Sequence, residues 1–301
     1  MGDMLKGRVA VVTGAGNGLG RAYALSFAAR GASVVVNDIG TSHDGYGRTH
    51  DDADAVVEQI RQDGGMAVAN YDSVAEEDGA NSIIQSAIDN FGKIDILVNN
   101  AGVLRVNDIC EIVTEDWDMV IKTHIYGTFY CTRRACGYMR QQRYGRIVNV
   151  SSHTGLGLKG QATYSTAKEG ITGFSRSVAR DVAEYGITCN IIRPIAAWRG
   201  IKQKVGAVEV FRPIDVAALV TYLVSESADH INGCIFEVWR NHVGIFTDPP
   251  PVSQVLWKEE GWTPEELERV MPETLTSGRT RENLPPTFPP FFKPPDDDQL
   301  A

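Results

Sequence analysis

"RVAVVTGAGNGLGRAYALSFAARGASVVVND", residues 8–38, is the stretch that decides the fold. A Val-rich run over 8–13 leads into a glycine-rich turn. A helical pattern follows over about 18–30, and a second Val-rich run, 33–38, ends on Asp38. Two parallel strands need a crossover of this length, so the spacing predicts a parallel βαβ unit. The strands are apolar without alternation, as a sheet covered on both faces requires.

The same rhythm continues outward. Strand-length runs recur at 66–71, 94–100, 145–152, 187–192 and 234–238. Helical patterns lie between them near 52–63, 76–90, 114–141, 163–184 and 213–226. The expectation is an α/β fold. Residues 1–245 form a single Rossmann-like doubly wound domain with a seven-stranded parallel sheet. After Thr247 the composition changes, and eleven of the thirteen prolines follow it. Residues 246–301 therefore read as a Pro-rich C-terminal extension. It holds one helix near 263–271, with Thr263 as N-cap and Pro264 in the first turn. The stretch "LPPTFPPFFKPPDDDQLA" (284–301) reads as extended chain. Its Phe288, Phe291 and Phe292 either lie on this subunit or a partner, or belong to a free tail.

With 301 residues and a net charge of −9, the chain lacks the basic field that nucleic acid or anionic lipid would need. No run of about 18 apolar residues suggests a membrane span. The five cysteines are scattered, odd in number and without a C-x-x-C. The six histidines have no zinc-ligand spacing, so no metal site is expected. A reducing, cytoplasmic setting is expected, and the absence of a terminal Ser-Lys-Leu agrees with it.

Within "TGAGNGLGRA" (13–22), Gly14, Gly18 and Gly20 let backbone approach a pyrophosphate. Asn17 to Gly20 open a helix whose N-terminus offers free N–H groups. The dinucleotide fingerprint G-x-G-x-x-G fails, because Leu19 stands where its third glycine belongs. Asp38 is placed to accept the ribose hydroxyls of NAD and to repel the 2′-phosphate of NADP; a turn or cap aspartate is the plainer reading. Asp72 and Ser73 close the third strand, where they can meet adenine. Asn100 and Gly102 close the fourth, near a cofactor ribose.

T13-G-A-G-N-G-L-G20, N99-N-A-G102 and Y164-S-T-A-K168, in this order, resemble the short-chain dehydrogenase/reductase family over about residues 6–245. Stretches 20–40, 64–74, 116–129 and 235–238 are similar to its (3R)-hydroxyacyl-CoA dehydrogenase branch, which includes regions of multifunctional enzymes and stand-alone bacterial proteins. The resemblance implies NAD as cofactor, and oxidation of a 3-hydroxyacyl-CoA or a steroid-derived hydrophobic substrate. It also implies a homodimer or tetramer paired through the helices near 114–141 and 163–184.

Tyr164 and Lys168 stand four apart on one helix face. An ammonium and a positive nicotinamide ring beside a phenol would lower its pKa and fit it for general base work. A surface pair is the alternative. The family's serine lies thirteen places before the tyrosine, which gives Ser151, but the local pattern matches Ser152 with one residue deleted from the loop, so Ser152 is the expected serine. His124 occupies the family's asparagine position, as a proton relay or as a packed helix histidine. Pro194 and Ile195 stand where backbone meets the nicotinamide carboxamide, with Ile195 in place of glycine. Arg193 and Trp198 are unusual for the branch. A lid over roughly 196–212 carries Arg199, Lys202, Lys204 and Arg212, placed to meet a CoA phosphate or simply solvated. Two further readings remain: a dehydrogenase of a free cyclic or steroidal alcohol, and a non-catalytic NAD-binding sensor.

Overall fold

Seven parallel strands run as β1 (Val9–Thr13), β2 (Ser33–Asn37), β3 (Met66–Asn70), β4 (Ile96–Asn99), β5 (Gly145–Val150), β6 (Ile187–Pro194) and β7 (Ile235–Trp239) among the described residues. An eighth, β8 (His242–Ile245), adds antiparallel to β7. The structure, a computed structural model, describes residues 3–41, 46–196, 212–247 and 252–281. Strand order is β3-β2-β1-β4-β5-β6-β7-β8. The sheet thus has one strand more than the sequence suggests. Trp239 faces His242, leaving a two-residue turn in which Arg240 takes a left-handed φ of 49°. Arg-Asn is not the Asn-Gly or Asp-Gly pair that signals such a hairpin, which is why it escapes a reading of the sequence.

Alternate residues of each strand feed two separate cores. Ala10, Val12, Val34, Val36, Ile96 and Val98 face one side, against Tyr23 and Phe27 of α1 (Gly18–Ala28), Val56 and Ile60 of α2 (Asp51–Gln62) and Val216 and Val220 of α7 (Pro213–Leu223). Val9, Val11, Val35 and Leu97 face the other. There they meet Ile83 and Ile84 of α3 (Glu77–Phe91), Met139 of α5 (Gly127–Gln142) and Val182 of α6 (Ala162–Val182). Each fully buried Val, Leu or Ile contributes about 1.5–3 kcal/mol. That two-sided demand is what the unalternating strands encode.

The helical pattern over 114–141 predicts one continuous helix. It is broken instead into α4 (Thr114–Ile121), a π-helical turn over Lys122–Tyr126 and α5. Such turns insert a residue into the helical ladder and often lie at functional sites. Here the turn carries His124.

β1 pairs with β2 on one side and β4 on the other, all parallel. The direction of winding reverses there, which opens a crevice at the carboxyl ends of these strands. A second compact unit begins at Thr247. It contains α8 (Pro264–Val270), closed by a reciprocal cap between Thr263 and Glu266. Trp198, Arg199, Lys202 and Lys204, and the phenylalanines of the tail, lie outside the described residues. Arg212, at the start of α7, pairs with Asp215 at 2.6 Å.

Candidate active site

The glycine loop ends β1 and starts α1. Gly14 has φ of 63°, and a Cβ there would lie 2.8 Å from the Ala101 Cα. A Cβ on Gly20 would run into the carbonyl oxygen of Gly14. Gly18 has φ of 53°, with open space where a side chain would be. Asn17 caps the helix by accepting the Gly18 N–H at 2.8 Å. Leu19 packs against the core, which accounts for a leucine at that point. Asn100 donates to the carbonyls of Thr13 and Gly14 at 3.0 Å each, tying the end of β4 to that of β1. Asp38 accepts the N–H groups of Gly16 and Gly40, both at 2.8 Å, so its carboxylate closes the loop. The positive end of α1 and these glycines leave a cradle with room for an anion beside Gly18.

Three residues expected near the cofactor also serve local contacts. One Asp72 oxygen, Oδ2, accepts from the Asn70 amide at 2.9 Å and from the Ser82 hydroxyl of α3 at 2.6 Å. Ser73 accepts the Ala75 N–H at 3.2 Å. Gly102 leaves room for the His124 ring: a Cβ there would lie 3.1 Å from His124 Nε2 and 3.3 Å from Nδ1.

Ser152, Tyr164 and Lys168 come together at the carboxyl end of β5. Ser152 follows that strand and is the N-cap of a short helical turn over His153–Leu156. Its hydroxyl accepts the Thr154 N–H at 3.2 Å and meets the Thr154 hydroxyl at 2.6 Å, on the side of the turn that faces the Tyr164 phenol. Ser151 points elsewhere: its buried hydroxyl donates to the Lys168 carbonyl at 2.7 Å and touches Thr172 at 3.1 Å. Lys168 is buried and donates to the Val150 carbonyl at 2.7 Å, with Nζ 5.3 Å from the centre of the Tyr164 ring.

Burial acts on this pair against the direction the sequence suggests. It pushes the Tyr164 phenol up to about 12, opposed by the nearby Ser152 hydroxyl. It pulls the Lys168 ammonium down to about 7. In both cases the neutral form is favoured, as removal from water must favour it. The lysine alone does not make the phenol acidic, because its own charge is costly in the same dry pocket.

His124, on the π turn, is 2% exposed, and its ring meets Tyr164 edge-on at 5.3 Å. Nε2 lies 3.2 Å from the Val103 N–H and 2.9 Å from its carbonyl, while Nδ1 has no partner among the described residues. Burial first, then the Lys168 charge, lower its pKa to about 3. The imidazole is therefore neutral at physiological pH, and it anchors the backbone at Val103.

Pro194 ends β6, and the Ile195 N–H donates to Val238 at 3.0 Å, extending the β6–β7 ladder. The loops after β4 and β5 are joined by the Asn107 N–H to the Gly160 carbonyl at 2.9 Å. They expose Val106, Ile109, Leu156 and Leu158, an apolar rim beside the Ser152 turn. A reading of the sequence marks Arg193 only as unusual and misses His153 and Glu237; all three are buried polar groups near this turn. Arg193 holds Glu169 at 2.7 Å. A histidine directly after the serine was the only visible signal.

A family model described as short chain dehydrogenase matches residues 8–207. The chain is 46% identical over 241 residues to peroxisomal multifunctional enzyme type 2 of Mus musculus, covering 79% of this chain and 32% of that protein. It is 36% identical over 280 residues to hydroxyacyl-CoA dehydrogenase ChsB1 of Mycobacterium tuberculosis, covering 87% of each. It resembles a crystal structure of a short chain dehydrogenase from Mycobacterium avium with a TM-score of 0.81 and 38% identity, over 92% of this chain and 97% of that one. The chain spans only about a third of the length of the multifunctional relatives.

Proposed function

The chain belongs to the short chain dehydrogenase family, and from that premise we propose that it interconverts a secondary alcohol and a ketone with NAD, acting on a 3-hydroxyacyl-CoA or a steroid-derived hydrophobic relative. The observation that carries this reading is the meeting of Ser152, Tyr164 and Lys168 beside the carboxyl ends of β4 and β5.

The Gly14–Gly20 cradle and the Asp38 carboxylate suit a dinucleotide. Asp38 would accept ribose hydroxyls and repel a 2′-phosphate, which favours NAD. Ile195 and Pro194 would flank the carboxamide end. A bound nicotinamide supplies the hydride acceptor and a positive charge. Ser152 orients the substrate oxygen by hydrogen bonding. Tyr164 takes the hydroxyl proton during oxidation and returns it during reduction. Bringing its pKa from about 12 to about 8 requires about 5 kcal/mol of differential interaction, to which a protonated Lys168 contributes. His124 holds the Val103 backbone and lines the pocket beside Tyr164, rather than cycling a charge.

The apolar rim formed by Val106, Ile109, Leu156 and Leu158 supports a hydrophobic substrate. The half-exposed Tyr126 and Phe129 of the α4–α5 region, with Phe129 set edge-on to Phe174 of α6, support pairing of two subunits through these helices. Five free thiols support a reducing cytoplasm. Among the described residues no helix is long and apolar enough to cross a membrane.

The test follows reduced nicotinamide by absorbance across 3-hydroxyacyl-CoA thioesters of rising chain length and free cyclic and steroidal alcohols. Turnover of thioesters with NAD and not NADP is expected, with Tyr164→Phe inactive. Turnover of free alcohols alone would remove the CoA assignment. NAD binding without turnover of any substrate would favour a sensor.

A further inference from the structure

One buried charge cluster takes no part in the steps above. Glu237 of β7 is 6% exposed, and both its oxygens are occupied. Oε2 lies 3.0 Å from His153 Nε2, and Oε1 lies 2.7 Å from His242 Nε2. Gly244, opposite Glu237 in the β7–β8 hairpin, leaves the space: a Cβ there would lie 2.6 Å from Oε1. His153 is 1% exposed and directly follows Ser152. The Phe246 ring covers it at 5.7 Å and stacks under the Arg193 guanidinium at 4.9 Å. Arg193 in turn holds Glu169, whose Oε2 lies 3.0 Å from where a Cβ on Gly155 would be. The turn from Ser152 to Gly155 is thus bordered by two carboxylates.

A carboxylate only accepts hydrogen bonds. To bridge two imidazoles it needs Nε2–H on each, so Glu237 selects the tautomer of His153 and holds the ring in one orientation. Ser152 caps the turn that His153 begins, and its hydroxyl direction is set by that turn. We propose that Glu237 is a positioning residue: acting through His153, it aims the Ser152 hydroxyl at the substrate oxygen beside Tyr164. The proposal rests on the reading that Ser152 holds that oxygen. The extra strand β8 then has a use, since it supplies His242 and Gly244 to orient the carboxylate.

The test uses Glu237→Gln, which keeps the shape but presents an NH₂ to one of the two imidazole N–H groups. With the substrate that turns over in the panel above, kcat should fall ~10- to 100-fold, the scale of a catalytic group displaced by about 1 Å. The Kd for NAD should stay within about twofold of the unaltered protein. In a Ser152→Ala background the same change should cost less than about twofold, because the group it aims is gone. His153→Gln, which keeps a donor, should retain most activity, and His153→Leu should lose it. Gly244→Ala, at an edge strand, crowds Oε1 and gives a second route to the same loss if Glu237→Gln folds poorly. Histidine ¹⁵N spectra at pH 7 should place the His153 proton on Nε2, and the change to Gln should perturb that signal. A normal kcat in Glu237→Gln alongside an impaired Ser152→Ala would overturn the positioning role alone. So would an equal loss in both backgrounds, which would mark a general structural role. Full turnover by Ser152→Ala would overturn the underlying assignment, and this proposal with it.

Discussion

Lys168→Met isolates the most strained charge in the site. The Lys168 side chain is buried, and its ammonium bonds the Val150 carbonyl at 2.7 Å. Burial lowers its pKa to about 7, whereas an unfolded lysine titrates near 10.4. Between these values the unfolded chain binds the extra proton, so folding stability rises with pH. Each pH unit inside that interval adds about 1.4 kcal/mol, and the whole interval about 4–5 kcal/mol. Between pH 7 and 9.5 the gain is about 3 kcal/mol. Methionine has similar reach and does not titrate. Denaturant unfolding of the cofactor-free protein at several pH values, with unchanged m, measures the effect. The difference between the unaltered protein and Lys168→Met should climb by about 3 kcal/mol over that range. Parallel curves, within about 0.5 kcal/mol, would refute the claim that this ammonium is held in a dry pocket. Turnover should be lost in the variant at every pH.

The two serines should separate cleanly. Ser151→Ala should cost about 1–2 kcal/mol of stability with little change in kcat, because its hydroxyl serves α6; Ser152→Ala should lower kcat ~100-fold with little change in the unfolding midpoint. Gly20→Ala should abolish NAD binding in a fluorescence titration, since its methyl collides with the Gly14 backbone. Asp38→Ser should narrow the preference for NAD over NADP at least ~10-fold in kcat/KM, by removing the charge that repels a 2′-phosphate. His124 has a folded pKa of about 3, below the unfolded value near 6.5, so the unfolded chain gains protons first as pH falls. Its contribution is lost between about pH 6.5 and 3, and His124→Asn should flatten acid unfolding across that window.

Much of the fold is legible because it is local and repeated. Val-rich runs of strand length, each followed by a helical pattern, can be buried only by a parallel sheet covered on both faces. The glycine loop is legible for the same reason, since positive φ at Gly14 and Gly18 and a close approach at Gly20 each demand the smallest residue. The π turn at Lys122–Tyr126 is not legible, because its change of hydrogen-bond partners leaves the 3.6-residue pattern nearly unchanged. The β7–β8 hairpin is hidden by an Arg-Asn turn that carries no glycine.

By itself, the chain's order of residues determined the βαβ repeat, the dinucleotide cradle and the pairing of Tyr164 with Lys168, since each depends on neighbours within a few positions or one helical turn. Tertiary structure alone decided that burial drives the phenol up and the ammonium down, and that Glu237 reaches His153 from 84 residues away. Solvent exclusion and contacts between distant strands arise only when the sheet closes, and no local pattern encodes them.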